Sequence, residues 1–271
     1  AQSVGQTVCR LLGLRRRKNG CGCRGGKTEV ERRMETQPVY KRVLVKLSGE
    51  ALGGKDGIFD NDRLEAICAQ LKRVADLGTE VAVVIGAGNI WRGARQAGLH
   101  IDRVRGDHMG MLATVINSLA VQDYLIKAGL ETEVLSAIPM AQVCGEYAQY
   151  KADALLCAGK AVIIACGVGY PYFSTDTGMV LRAAELKADA VLSAKAVDYV
   201  YDKDPKKYPD AKRYESLTYA ELIEKNLQVI DGAAGAFARD NDLRILLFSL
   251  AEPENLYKAA SGERVGTVIT N

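Results

Sequence analysis

A chain of 271 residues, 48% hydrophobic and 25% charged, has the composition of an ordinary globular protein, which excludes fibrous and intrinsically disordered classes. No uninterrupted apolar run approaches the roughly 18 residues that a membrane span requires, so the protein is read as soluble with no membrane partner. The net charge of +3 is uneven: residues 1 to 33 carry nine basic side chains against Glu29 and Glu31, which leaves −4 on residues 34 to 271. That mildly acidic body offers no electrostatic footprint for nucleic acid, and none is expected.

The basic leader lacks helical or strand periodicity, clusters Gly20, Gly22, Gly25 and Gly26, and gives way at Met34 to orderly patterning. It is read as upstream sequence outside the fold, with a transit-type peptide or a nucleic-acid-binding arm as alternatives. Residues 34 to 271 are read as one domain. Cys21-Gly22-Cys23 with Cys9 lacks a nearby His or a second pair for a zinc site. Cys68, Cys144, Cys157 and Cys166 fall in apolar surroundings and read as small core residues of a protein in a reducing cytoplasm.

From residue 41 short β-branched runs alternate with helical patterns, the signature of βαβ units around a mostly parallel sheet. Arg42 to Leu47 reads as a strand and Gly49, Gly53 and Gly54 as its loop. Asp60 to Leu77 reads as a helix with Leu64, Ile67, Leu71 and Val74 on one face, ended by Gly78. Val81 to Ile85 is a buried strand. Gly106-Asp107 opens a long helix that ends at Gly129, with Asp107 as its cap or as a ligand. Val134 to Ser136, Ala161 to Cys166 and Ala190 to Leu192 are further strands, the last two separated by a helix from about Thr177 to Lys187. Residues Asp198 to Ser216, with Pro205 and Pro209, read as an irregular or hairpin excursion. Ala233 to Asn241 is helix, Ile245 to Phe248 strand, Asn255 to Ala260 a short helix and Val265 to Ile269 a strand.

There is no GxxxxGK[ST] and no GxGxxG after a strand, and the only histidines are His100 and His108, so P-loop and His-dependent hydrolytic chemistry are excluded. What remains is a set of glycine loops at strand ends, each beside a cation or carboxylate: Lys46 to Leu52, Gly86 to Gly93, and Gly167 to Asp176. Backbone amides in such loops, with the positive end of a following helix, suit phosphate oxygens. Lys46 is the single charge late in an apolar strand, and Arg92 directly follows its glycine loop, where a planar fork suits phosphate. Asp176 can be a first-turn helix acid or a ligand.

Taken together these segments resemble the bacterial UMP kinases of the amino acid kinase family. The resemblance runs through Lys46-Leu47-Ser48-Gly49-Glu50-Ala51-Leu52, Gly86-Ala87-Gly88-Asn89, Gly106-Asp107-His108-Met109-Gly110, Tyr172-Phe173-Ser174-Thr175-Asp176, Val200-Tyr201 with Asp204, and Ala238-Arg239-Asp240. It implies an αβα sandwich and transfer of the ATP γ-phosphoryl group to UMP with Mg²⁺ on the ATP phosphates. It also implies a homohexamer and regulation by GTP as activator and UTP as inhibitor. By resemblance Lys46, Leu47, Ser48, Gly49, Gly88, Arg92, Lys195, Tyr201 and Asp204 contact ATP. Gly86, Ala87, Asp107, Val168, Gly169, Tyr170, Pro171, Tyr172, Phe173, Ser174 and Thr175 contact UMP. Lys46, Arg92, Asp176 and Asp231 carry catalysis, the two acids orienting the lysine and the magnesium-bound phosphates, and no protein metal site is implied. Ala87 replaces a frequent Gly. Val168 and Tyr170 replace the commoner Thr and Asn, side chains that hydrogen-bond a pyrimidine edge. A sister kinase acting on carbamate or an amino-acid carboxylate, and a nucleotide sensor without turnover, are the competing readings.

Overall fold

The computed structural model describes residues 38–54, 57–92, 100–205, 207–227 and 229–271; the basic leader lies outside them. A nine-stranded sheet carries the fold. Its strands are β1 (Arg42–Leu47), β2 (Glu80–Ile85), β3 (Thr132–Ser136), β4 (Gly145–Glu146), β5 (Ala161–Ala165), β6 (Ala190–Lys195), β9 (Ser216–Thr218), β10 (Ile245–Ser249) and β11 (Thr267–Thr270), in the order β4-β3-β5-β2-β1-β6-β10-β11-β9. All adjacent pairs are parallel except β10 with β11. β7 (Val200–Tyr201) and β8 (Arg213–Tyr214) form a separate antiparallel hairpin, as expected for the Pro-bearing excursion.

Because successive strand residues face opposite sides, the alternating runs feed two cores. Val43, Val45, Leu47, Val81, Val83 and Ile85 pack against α1 (Asn61–Asp76), α2 (Arg103–Lys127) and α7 (Asn255–Ala260). Leu44, Ala82, Val84, Val162 and Ile164 pack against α3 (Gln149–Cys157), α4 (Thr175–Glu185), α5 (Tyr219–Glu224) and α6 (Gly232–Asp240) on the other face. The result is a three-layer αβα arrangement around a mostly parallel sheet. The order in which strands are laid down reverses at β1, which pairs in parallel with β2 on one side and β6 on the other, so the carboxyl ends of these strands flank a crevice suited to ligands.

Several expectations shift. α2 starts at Arg103, because the Asp102 side chain accepts the Val104 and Arg105 amides and caps the helix. Gly106 is therefore an internal residue facing Trp91 and Ile101, and Asp107 is released from capping. By length and composition α2 is apolar enough to cross a membrane, although no uninterrupted run announces it; its Met111, Val115, Val121 and Leu125 are buried in the first core. α3 was not expected: its N-cap, Ala148, makes no side-chain cap. α5 and β9 were also missed, although Thr218 and Glu221 form a readable capping box. Cys157 is exposed rather than a core residue, its sulfur 3.6 Å from Arg42 Nη2, whereas Cys68 and Cys166 are buried. Burial pushes the Cys68 thiol up to about 12.

Candidate active site

Three glycine loops meet at the carboxyl edge. The Gly86 amide donates to the Leu47 carbonyl at 2.9 Å, so the loops after β1 and β2 lie together. Gly49 is buried where they touch: a Cβ there would stand 2.5 Å from the Gly86 carbonyl oxygen and 2.9 Å from the Gly88 nitrogen. The β2 loop is pinned from below by Asn117 of α2, fully buried, whose Nδ2 donates to the Gly86 carbonyl at 2.8 Å and pairs with the Asn89 side-chain amide. A buried amide this well satisfied fixes a loop without the cost of an unmatched polar group. Asn117 was missed by sequence reading; an Asn on the apolar face of a helix is the signal that could have found it.

Lys46 and Lys195 converge on Asp176. Lys46 Nζ lies 3.2 Å from Asp176 Oδ1, and Lys195 Nζ 2.9 Å from Oδ2. The three side chains are only 10%, 19% and 16% exposed for Lys46, Lys195 and Asp176, and together they leave one net positive charge with little water to screen it. Burial lowers the Lys46 pKa, Lys195 lowers it further and Asp176 opposes both, the net shift being downward. For Asp176 burial acts upward, but the two ammonium groups prevail and hold the carboxyl below its ordinary range.

Asp176 sits in the first turn of α4, whose N-cap Ser174 accepts the Asp176 and Thr177 amides. The Ser174 hydroxyl in turn donates to Asp231, the N-cap of α6, which also accepts from Thr177 Oγ1 at 3.3 Å. Asp231 therefore orders the start of α4 and makes no contact with Lys46.

On one side of this charge cluster lies a cleft of about 320 Å³ lined by Ala87, Gly88, Arg92, Asp107, Val168, Tyr170, Phe173, Ser174 and Thr175 among others. Gly86, Gly169, Pro171 and Tyr172 belong to the same loops but do not line it. Asp107 accepts the Tyr172 amide at 2.8 Å and Arg103 Nε at 2.9 Å. Burial pushes its carboxyl up, and the Tyr172 amide and Arg103 outweigh that, keeping it below the usual carboxylate range. Tyr172 is held with φ 71°, a conformation costly for a bulky residue, with its ring 5.2 Å from the Arg103 guanidinium.

On the other side is a cleft of about 520 Å³ that includes Ser48, Glu50, Arg63, Lys195, Ala196 and Ser249. A neighbouring one of about 650 Å³ includes Asp198, Tyr199, Asn255 and Lys258. Arg92 and Glu50 join the two sides at 2.8 Å. Leu47 is fully buried and contributes backbone only. Tyr201 and Asp204 stand apart in the β7–β8 hairpin; Tyr201 Oη donates to Asp198 at 3.0 Å, and neither residue lines these clefts.

One cleft combines the ionised Asp107 carboxylate with Gly88 and Gly167 of two glycine loops, and the other is lined by Ser48, Glu50 and Lys195. The Lys46–Asp176–Lys195 cluster links them, with Lys195 lining the second cleft and Asp176 following Thr175 of the first. Such an arrangement can hold anionic ligands on both sides of the cluster. Comparison with known proteins points the same way. Residues 41–249 match the model of the amino acid kinase family. UMP kinase from Bacillus anthracis is similar in structure at TM-score 0.83 and 41% identity over 85% of this chain and 96% of that one. UMP kinase from Ureaplasma parvum matches at TM-score 0.81 and 32% identity, over 85% and 99% of the two chains. Uridylate kinase from Archaeoglobus fulgidus matches at 0.67 and 26%, over 84% and 99%. With most of its length matched by the family model and the strand ends that build the paired clefts lying within that match, this chain belongs to the amino acid kinase family.

Proposed function

We propose that the protein transfers the γ-phosphoryl group of ATP to UMP, giving UDP and ADP for pyrimidine nucleotide biosynthesis. The observation that carries this is the Lys46–Asp176–Lys195 cluster between two clefts, and the similarity to UMP kinases supports the choice of acceptor. ATP occupies the side of Ser48, Gly49 and Lys195, with its γ-phosphate facing Lys46. UMP occupies the side of Asp107, whose ionised carboxylate accepts hydrogen bonds from the ribose hydroxyls.

A UMP phosphate oxygen attacks the γ-phosphorus as the bond to the ADP oxygen breaks. The attacking group is already an anion, so no side chain has to remove a proton, which suits a chain with two histidines. The work is alignment and charge neutralisation. Lys46 and Arg92 neutralise the transferring group, Arg92 exchanging Glu50 for phosphate, while Asp176 orients the two lysines. Asp231 acts one step removed, by fixing the start of α4. Mg²⁺ is expected to arrive on the ATP phosphates, the form in which this ion is ordinarily bound in ATP-dependent phosphoryl transfer. When bound, Mg²⁺ supplies further charge neutralisation on the β- and γ-phosphates. A cytoplasmic homohexamer is the accompanying expectation, to be checked by sedimentation.

The test is an ATP-consumption assay on the full chain with Mg²⁺, offering UMP, CMP, dUMP, carbamate and N-acetylglutamate side by side. UMP-selective turnover is expected. Turnover with carbamate or N-acetylglutamate alone would move the protein to a sister branch, and nucleotide binding with no product would make it a sensor.

A further inference from the structure

α4 carries a buried cation that the proposed chemistry does not use. Arg182 is 5% exposed and lines none of the clefts described above. Its Nη1 donates to Glu185 at 2.7 Å, its guanidinium lies 4.1 Å from the Tyr147 ring, and Tyr147 Oη donates to the same Glu185 oxygen at 2.6 Å. Arg182 Nε is buried with no hydrogen-bond partner. An unmatched buried donor is a cost to stability, so stability alone is a poor account of this residue. Its remaining contact is informative: Nη2 donates to the Gly167 carbonyl at 3.0 Å.

Gly167 begins the loop over the Asp107 cleft, and its backbone is unusual. Cys166 and Gly167 are consecutively left-handed, φ 64° and 55°, and the Cys166 amide is held by Thr114 Oγ1 at 2.9 Å. The Gly167–Val168 peptide lies across bare backbone at Gly178 of α4: a Cβ there would stand 3.1 Å from Gly167 Cα and 3.5 Å from the Val168 nitrogen. Arg182 is one helical turn beyond Gly178 and draws the carbonyl of this peptide toward the C-terminal end of α4. In a trans peptide the N–H points opposite to the C=O. The Val168 amide is therefore turned toward the N-terminal end of α4, where Ser174 and Thr175 line the cleft. No hydrogen bond to it is formed by any described residue.

We infer that Arg182 is a positioning residue: by holding the Gly167 carbonyl it aims the Val168 amide into the cleft as a hydrogen-bond donor to an oxygen of the acceptor nucleotide. This assigns a backbone donor at a position whose side chain, valine, cannot hydrogen-bond. It rests on the kinase reading above and adds a specificity element to that site.

The test compares the full-length protein with Arg182→Met, Arg182→Lys and, as a control that disturbs the same cluster without touching Gly167, Tyr147→Phe. Arg182→Met raises KM for UMP about tenfold, the loss of roughly one hydrogen bond, and leaves KM for ATP unchanged. Arg182→Lys recovers part of the loss, and Tyr147→Phe lowers the thermal midpoint without moving either KM. Wild-type turnover with an unchanged UMP KM in Arg182→Met overturns this inference alone, as does a parallel rise in both KM values that tracks thermal stability in Tyr147→Phe. Silence of the wild-type protein with UMP overturns the kinase reading and this inference with it.

Discussion

In the proposed reaction Lys46 is the residue on which the chemistry turns, and its surroundings give that role a measurable signature. Burial and Lys195 both favour loss of its proton, while Asp176 opposes them; the net downward shift makes the lysine shed its proton at a lower pH than an ordinary lysine, near 10.4. Only the protonated form neutralises phosphate, so kcat/KM has an alkaline limb, set by the free protein, that begins below that value. The neighbours move it in opposite directions. Asp176→Asn removes the opposing charge and shifts the limb to lower pH, whereas Lys195→Met removes a repelling one and shifts it higher. Profiles of kcat/KM against pH for the two variants check this, and a shift of both in the same direction defeats the electrostatic account. Lys46→Met itself lowers kcat by about a hundredfold or more, the usual effect of removing one donor to a developing charge. Lys46 was legible in the sequence because a charge late in an apolar strand is conspicuous. Arg182 was not, since an Arg within an amphipathic helix reads as a solvated one, and its burial follows from where β5 ends.

Elements place these residues, and the loop after β1 shows how narrow the tolerance is. Gly49 has negative φ and is not required for backbone freedom; it is required for space. A Cβ would fall 2.4 Å from Asn89 Oδ1 and 2.5 Å from the Gly86 carbonyl oxygen, both fixed by Asn117. Gly49→Ala must therefore separate the loops of β1 and β2, and a shift of about 1 Å in such a site costs on the order of a hundredfold in kcat/KM. Steady-state kinetics would show it, with circular dichroism confirming that the sheet persists. The strands and long helices were legible because two-residue and 3.6-residue periods are strong over such lengths. α3 was illegible because nine residues with no side-chain cap give little pattern. The start of α2 was misread because Gly106-Asp107 resembles a cap better than it functions as one, Asp102 being the residue that accepts the free amides.

Across the sheet, the proposed chemistry and a major source of stability occupy opposite edges. The carboxyl edge holds the glycine loops and the buried lysines, with charges left partly unbalanced. The amino edge holds Arg42, 8% exposed, which donates to Glu80 Oε2 at 2.6 Å, Asp153 Oδ1 at 2.7 Å and the Leu186 carbonyl at 2.6 Å, while its amide donates to Asp189 at 2.8 Å. One side chain thus ties β1 to β2, to α3 and to the end of α4. Although burial disfavours its charge, Asp153 and Glu80 more than compensate. Arg42→Met leaves the Glu80 and Asp153 carboxylates without their partner, which for a buried pair costs about 3–5 kcal/mol. Half-exposure of Asp153 lets water take over part of its share and puts the expected loss near the lower end, about 3 kcal/mol. In urea the midpoint falls accordingly with an unchanged m-value, the mark of lost stability without a change in the surface exposed. Because the Lys46 end of β1 stays packed between β2 and β6, both KM values remain at their wild-type levels at low temperature. A rise in either KM in Arg42→Met would mean that the strand transmits strain along its length and that the two edges are not independent.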